Sequence, residues 1–161
     1  PNKFFFVIAG EIFWESFGAE ESKLRAFCEN PPDNCLIQVG YIDNERDVNA
    51  IISAADILYA VYQQFKDSSN TLTKAATFEK PVVVSDDYLM GERVRAYQLG
   101  VAVKFGDIES IEKGLLDIAG RPRGDFGFVA YRRDNSYEAL RAALAPQVEA
   151  WLRSSQVRVP T

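Results

Sequence analysis

The chain has 161 residues, 47% of them hydrophobic and 12% aromatic, which is enough for one domain with a substantial buried core. Its net charge of −5 at pH 7 excludes the broad basic surface that holds a nucleic-acid backbone or an anionic membrane. Because the chain has no histidine and only two cysteines, its composition implies no metal site, and we expect no cofactor. No apolar run approaches the roughly 18 residues of a membrane span.

The first half of the chain alternates apolar runs with amphipathic segments. Continuous apolar runs predict strands covered on both faces, and apolar residues spaced three and four apart predict helices. The strands are predicted at residues 4–9 and 35–42, and the helices at residues 20–29 and 45–54.

The two cysteines, Cys28 and Cys35, fit a reduced pair in a cytoplasmic protein better than they fit a disulfide.

The central segment, residues 54–85, has the pattern strand, loop, helix, strand. Its loop contains four good N-cap residues in a row, Ser68, Ser69, Asn70 and Thr71, so the helix should begin within this quartet and end near residue 78 or 79. Unpaired backbone N–H groups and the helix dipole favour an anion such as phosphate at such a start. Helix capping without any ligand is the alternative interpretation of the same residues.

The segment after residue 85 begins with a turn, Ser85 to Asp87, whose aspartates are expected to cap a helix, and Gly100 is the expected left-handed stop of that helix. Pro146 is expected to kink the last helix. The predicted order is a helix to residue 99, a strand at 101–105, a helix to 119, a loop at 120–127, an extended segment at 128–131 and an amphipathic helix at 137–153.

These elements predict an α/β, Rossmann-like, doubly wound domain over residues 1–161. It should have a mostly parallel sheet of about five strands, helices on both faces and a long C-terminal helix. Ligands of such sheets bind outside the carboxyl ends of the strands. The loops at residues 10–18, 40–44 and 62–71 are therefore expected to meet at one edge.

Six phrases carry a resemblance to a known family. They are VIAGEI (7–12), LIQVGYI (36–42), ISAADILYAVY (52–62), KAATFEKPVVVSD (74–86), the pair Gly91-Glu92 and FGDIESIEKGLLDI (105–118). In this order they resemble the C-terminal, nucleotide-sugar-binding domain of GT-B glycosyltransferases of the retaining, family-4 type. The AAD strand followed by EKPVVVSD is the most specific part of the resemblance.

The resemblance implies transfer of a sugar from a nucleoside diphosphate sugar to an unknown acceptor. It also implies a missing N-terminal Rossmann-like domain, toward which residues 120–161 would pack. The implied diphosphate contacts are Lys66, Ser68, Ser69, Asn70 and Thr71; the nucleoside contacts are Gly40, Tyr41, Ile42 and Lys74; and the candidate donor-sugar contacts are Glu11 and Glu92.

Two lysines depart from the family pattern. The family has two glutamates eight residues apart, where this chain has Lys66 and Lys74. An ammonium group donates hydrogen bonds but cannot accept them, so the usual contact to ribose hydroxyls is not made in the same way. The lysines either neutralise phosphate charge or are solvated surface residues.

Other departures bear on activity. Where the family has glycines, this chain has Asp67, Ser68 and Ser69. The chain also lacks the strand that precedes the family's phosphate-binding arginine and lysine. This chain alone should therefore not turn over substrate. The alternative is a degenerate, non-catalytic GT-B-like binding or scaffold domain. A receiver-like signalling domain is a poorer interpretation, because its acidic cluster should follow the first strand.

Overall fold

The strands form two parallel sheets. The computed structural model describes residues 4–67 and 69–155, and the chain divides into two compact units, Pro1–Ile51 and Ile52–Thr161. In the first unit β1 (Phe6–Gly10) pairs with β2 (Cys35–Val39). In the second unit the strand order is β3 (Leu58–Ala60), β4 (Val82–Ser85), β5 (Gly100–Val103).

The prediction of one five-stranded sheet was therefore wrong, although all five predicted strands form and pair in parallel. An apolar run indicates that a segment is extended, but it does not identify the neighbouring strand. Parallel partners are brought together by crossover connections, so the pairing depends on tertiary structure.

The first unit exposes much of its apolar surface. After β1, a 3-10 helical segment (Trp14–Glu20) leads into α1 (Glu21–Glu29), and α2 (Glu45–Ala54) follows β2. The sheet side chains of Val7, Ile8, Leu36 and Val39 are all exposed. The expectation that the first strand, at residues 4–9, is covered on both faces is therefore wrong. The structure describes every residue of α1, and none of them is buried.

The second unit contains the hydrophobic core. All four residues of β4 are buried, as its continuous apolar run predicted for a strand between two neighbours. Around it lie α3 (Asn70–Phe78), α4 (Tyr88–Tyr97) and α5 (Ile108–Gly120), which contact β3, β4 and β5. The most deeply buried side chains include Leu72, Val82, Val83, Val84, Val94 and Leu99.

The end of α4 differs from the prediction. The left-handed residue that terminates the helix is Gln98, with a φ of 53°, whereas Gly100 is the first residue of β5. A Cβ atom at Gly100 would lie 1.9 Å from the carbonyl oxygen of Val82. Glycine is therefore needed here for the close approach of two strands and not for stopping the helix.

The segment predicted as extended at residues 128–131 is instead the beginning of α6 (Phe128–Asp134). Phe128 and Tyr131, three residues apart, are both buried, and the ring of Tyr131 packs edge-on against Tyr97 with centroids 5.1 Å apart. A four-residue apolar run fits either a strand or a helix, so the tertiary contact decides between them.

The last helix, α7 (Tyr137–Ser155), continues through Pro146. Its start is capped by Ser136, whose Oγ accepts a hydrogen bond from the N–H of Ala139 at 3.1 Å. The apolar side chains along this helix remain exposed, namely Leu140, Leu144, Val148, Trp151 and Leu152.

Within the described part of the chain, no helix combines the length and the apolar character needed to cross a membrane.

Candidate functional site

The start of α3 lies in the loop that follows β3. Ser69 is the N-cap residue: its Oγ accepts a hydrogen bond from the N–H of Thr71 at 3.1 Å and donates one to the Thr71 Oγ1 at 2.8 Å. The helix thus begins within the predicted quartet. One N–H group of its first turn already has a hydrogen-bond acceptor in the Ser69 side chain. Ser68, the other serine of the quartet, lies outside the described residues.

An aromatic pair flanks this helix start. The hydroxyl of Tyr62 lies 3.4 Å from the Oγ1 of Thr71, and the ring of Tyr62 packs against Phe65 with centroids 5.1 Å apart. Lys66 follows in the same loop and is exposed, while Lys74 lies one turn into the helix and is half-buried. Within residues 4–67 and 69–155, no ion pair involves Lys66 or Lys74.

A shallow cavity of about 350 Å³, open to solvent, lies at the carboxyl edge of the three-stranded sheet. Each strand contributes two residues that follow it closely in the chain. The lining residues are Gln63 and Gln64 after β3, Asp86 and Asp87 after β4, and Lys104 and Phe105 after β5. This is the edge at which parallel α/β sheets bind their ligands.

Asp86 is held in place through its backbone. Its N–H donates to the carbonyl of Val103 at 2.8 Å, and its own carbonyl accepts a hydrogen bond from the Arg95 Nη2 at 2.9 Å. Gly91 packs so closely that an added Cβ would lie 2.5 Å from the same carbonyl oxygen. Both β5 and α4 therefore fix the loop after β4.

The loop after β3 is tied to the end of β4. The hydroxyl of Ser85, which is buried, donates a hydrogen bond to the backbone carbonyl of Tyr62. Two residues beside the cavity have left-handed backbones, Gln64 with a φ of 51° and Tyr88 with a φ of 55°. Such conformations are unfavourable for side chains of this size and occur often at ligand sites.

The residues predicted from the sequence fall into separate places. The second unit brings together Lys66, Ser69, Asn70, Thr71 and Lys74 around the start of α3. Glu92 lies on α4 and is exposed. The first unit contains Glu11, Gly40, Tyr41 and Ile42. There, the N–H of Gly40 donates to the carbonyl of Gly10 at 2.9 Å, which joins the carboxyl ends of β1 and β2.

The cavity is the part of the site that the sequence interpretation missed. Gln63, Gln64, Lys104 and Phe105 were not identified, although each closely follows a predicted strand. The aspartates were interpreted as helix caps. Asp87 does occupy the N-cap position of α4, but its side chain makes no capping hydrogen bond.

Among the described residues, no group of three or more His, Cys, Asp or Glu side chains is arranged to hold a metal ion.

The fold is glycosyltransferase-like. The structure is similar to the crystal structure of AviGT4, a glycosyltransferase involved in avilamycin A biosynthesis, with a TM-score of 0.53 and 17% sequence identity. The similarity covers 82% of this chain and 46% of AviGT4, so this chain spans less than half of that protein. At this identity the likeness shows the fold alone. No family model and no curated protein sequence matches the chain.

Proposed function

We propose that the chain is the donor-binding half of a glycosyltransferase, which binds a nucleoside diphosphate sugar and transfers its sugar to an acceptor. The observation that carries the proposal is the position of the α3 start, at the carboxyl end of β3 in a glycosyltransferase-like fold. Helix starts at this edge provide N–H groups and a positive dipole end to phosphate.

Two positive charges near this helix start support a diphosphate ligand. Lys66 and Lys74 form no ion pair with any described residue, so their ammonium groups can neutralise phosphate oxygens. Ser69 already accepts from one backbone N–H, which limits how many donors of the first turn reach a phosphate. The lysines therefore offer phosphate donors in addition to the N–H groups that the Ser69 cap leaves open.

The remaining contacts stay predictions. They are nucleoside contacts by Gly40, Tyr41, Ile42 and Lys74, donor-sugar contacts by Glu11 and Glu92, and a diphosphate contact by Ser68. The packing of residues 120–161 toward a second Rossmann-like domain is also a proposal. The exposed apolar side chains of Leu140, Leu144 and Leu152 on α7 support it, because burial of such a surface is favourable.

The test is a titration of UDP, GDP and ADP into the isotope-labelled chain, followed by heteronuclear NMR. We expect at least one nucleotide to shift the amide signals of residues 66–74. Lys66→Ala and Lys74→Ala should each weaken binding by about tenfold, because each removes a charge-assisted hydrogen bond. Lys113→Ala, an exposed lysine on α5, is the matched control for the loss of one positive charge.

A degenerate binding or scaffold domain is the second candidate. The two lysines in place of the family's glutamates and the self-capped helix start favour it. If none of the three nucleotides shifts any signal of the α3 start, the donor-binding proposal is wrong and the scaffold role stands in its place.

A further inference from the structure

The loop after β3 has few hydrogen bonds of its own backbone. It begins at residue 61 and ends at Ser69, the N-cap residue of α3. Among residues 4–67 and 69–155, no backbone–backbone hydrogen bond involves residues 63–67. The exposed Lys66 therefore lies in a segment that no secondary structure holds in place. Its position depends on the contacts at the two ends of the loop.

The backbone of Tyr62 is fixed at the first end of the loop. The buried hydroxyl of Ser85 donates a hydrogen bond to the Tyr62 carbonyl. Ser85 is the last residue of β4, whose four residues are all buried between β3 and β5. A buried hydroxyl is costly to leave without a partner, so this bond attaches Tyr62 to the central strand of the second unit.

The side chain of Tyr62 reaches the other end of the loop. Its hydroxyl lies 3.4 Å from the Oγ1 of Thr71, the second residue of α3. That oxygen already accepts a hydrogen bond from the Ser69 Oγ at 2.8 Å. A hydroxyl group has two lone pairs and one hydrogen, so the Thr71 hydroxyl can still donate to Tyr62 or accept from it. One side chain thus joins residues that are nine positions apart in the sequence.

The ring of Tyr62 holds the middle of the loop. It packs against the ring of Phe65 at an angle of 58°, with centroids 5.1 Å apart. Tilted packing of this kind is favourable for two aromatic rings. Phe65 is half-buried and immediately precedes Lys66. Any movement of the Tyr62 ring is therefore transmitted to the residue next to the lysine.

We propose that Tyr62 is a positioning residue, which braces the loop after β3 and thereby holds Lys66 beside the start of α3. The Tyr62 carbonyl is bonded to the buried Ser85, so loss of the hydroxyl contact to Thr71 releases the loop and leaves the fold intact. Phosphate binding by the positioned Lys66 rests on the proposed function, whereas the brace is a property of the chain without any ligand.

Backbone relaxation of the isotope-labelled full chain tests the brace without a ligand. The amide order parameters of residues 63–67 should lie near the rigid value of about 0.85 in the parent chain and should fall toward about 0.6 in Tyr62→Phe. The phenylalanine keeps the ring that packs on Phe65 and removes only the hydroxyl. Tyr137→Phe, at an exposed tyrosine of α7, is the matched control and should leave the loop unchanged. Equal order parameters in Tyr62→Phe and the parent chain would overturn the proposal.

Substitutions of Thr71 test the other end of the same contact. Thr71→Val removes the hydroxyl with little change of shape and should loosen the loop as Tyr62→Phe does, whereas Thr71→Ser keeps the hydroxyl and should match the parent chain. The double variant Tyr62→Phe/Thr71→Val should be no more mobile than either single variant, because all three lack one and the same contact. Greater mobility of the double variant would show that the two hydroxyls act separately, which contradicts the brace.

Nucleotide affinity tests whether the brace acts through Lys66. With whichever of UDP, GDP and ADP the parent chain binds most tightly, Tyr62→Phe should raise the dissociation constant by about threefold, since a long hydrogen bond contributes at the low end of the usual range. In a Lys66→Ala background the same substitution should leave the affinity unchanged, because the positioned group is absent. Full additivity of the two substitutions would overturn the positioning role.

The two sets of measurements separate the brace from the proposed function. If the loop is ordered in the parent chain and loosened in Tyr62→Phe while no nucleotide binds, the brace is supported and the donor-binding proposal alone is wrong. If a nucleotide binds the parent chain and Tyr62→Phe with equal affinity, the donor-binding proposal is supported and the positioning role of Tyr62 is wrong.

Discussion

The buried hydroxyl of Ser85, the last residue of β4, donates a hydrogen bond to the backbone carbonyl of Tyr62 in the loop after β3. Gln63 and Gln64 follow Tyr62, and Asp86 and Asp87 follow Ser85, so this bond joins two walls of the carboxyl-edge cavity. The geometry of the cavity therefore depends on one serine that does not line it.

Ser85→Ala should destabilise the fold by about 1–2 kcal/mol, because the Tyr62 carbonyl loses its partner. The loop after β3 should also become more mobile, with faster hydrogen exchange at Gln63 and Gln64. Urea unfolding and amide exchange measure the two effects. Thr77→Ala is the control, since it removes an exposed hydroxyl that bonds only within α3, and it should change the stability by less than about 0.5 kcal/mol.

Gly91→Ala should cost about 1–3 kcal/mol, because the new methyl group would lie 2.5 Å from the Asp86 carbonyl oxygen and must push the loop after β4 away from α4. Gly120→Ala, in α5 with nothing within 4 Å of an added Cβ, should be neutral or slightly stabilising. Thermal unfolding of both variants gives the comparison. Equal stability of the two would contradict the close packing described for Gly91.

Arg132→Ala should destabilise the second unit by about 1 kcal/mol. The Arg132 guanidinium donates to the carbonyl of Ala76, near the end of α3, and to the Glu79 carboxylate at 3.1 Å, so it joins α6 to α3. The estimate is small because the side chain is partly exposed and its ion pair is screened. Arg133→Ala, whose partner is its neighbour Asp134, is the matched control and should have little effect in urea unfolding.

Substitutions of Ser69 separate helix capping from ligand binding. Ser69→Ala should cost about 1 kcal/mol through loss of the N-cap, whereas Ser69→Asp keeps a capping side chain and the stability of the parent chain. If the α3 start binds a diphosphate, the added negative charge of Ser69→Asp should weaken nucleotide binding by at least about tenfold. Normal nucleotide affinity in Ser69→Asp would argue against a diphosphate at this helix start.

A pH effect is expected from Asp134. A hydrogen bond from Arg133 lowers the pKa of the Asp134 carboxyl below its ordinary value of 3.8. The folded chain therefore binds a proton at Asp134 more weakly than the unfolded chain does. The ionised Asp134 carboxylate stabilises the fold at pH values above 3.8, and this contribution is lost as the pH falls below 3.8 through the lowered pKa of the folded state. In Asp134→Asn the free energy of unfolding should fall slightly less steeply between neutral and acid pH than in the parent chain. Added salt should reduce this difference between the variant and the parent. Urea unfolding across the acid range measures it.

Local patterns determined most of the elements. The bounds of α2 agree with the prediction, and α3 begins within the predicted quartet at a serine cap. Capping and apolar spacing act between residues a few positions apart, so the sequence alone carries this information. The start of α6 lacked such a signal, because its short apolar run fits two structures until Tyr131 packs against Tyr97.

The amino-acid sequence by itself determined five strands that alternate with helices and a polar, N-cap-rich loop before α3, because these features follow from short-range periodicity and capping. Only the tertiary structure decided that the strands divide into two sheets and that residues 63–64, 86–87 and 104–105 line one cavity. The physical reason is that parallel pairing brings distant loops to one edge through crossovers, whose partners no local pattern specifies.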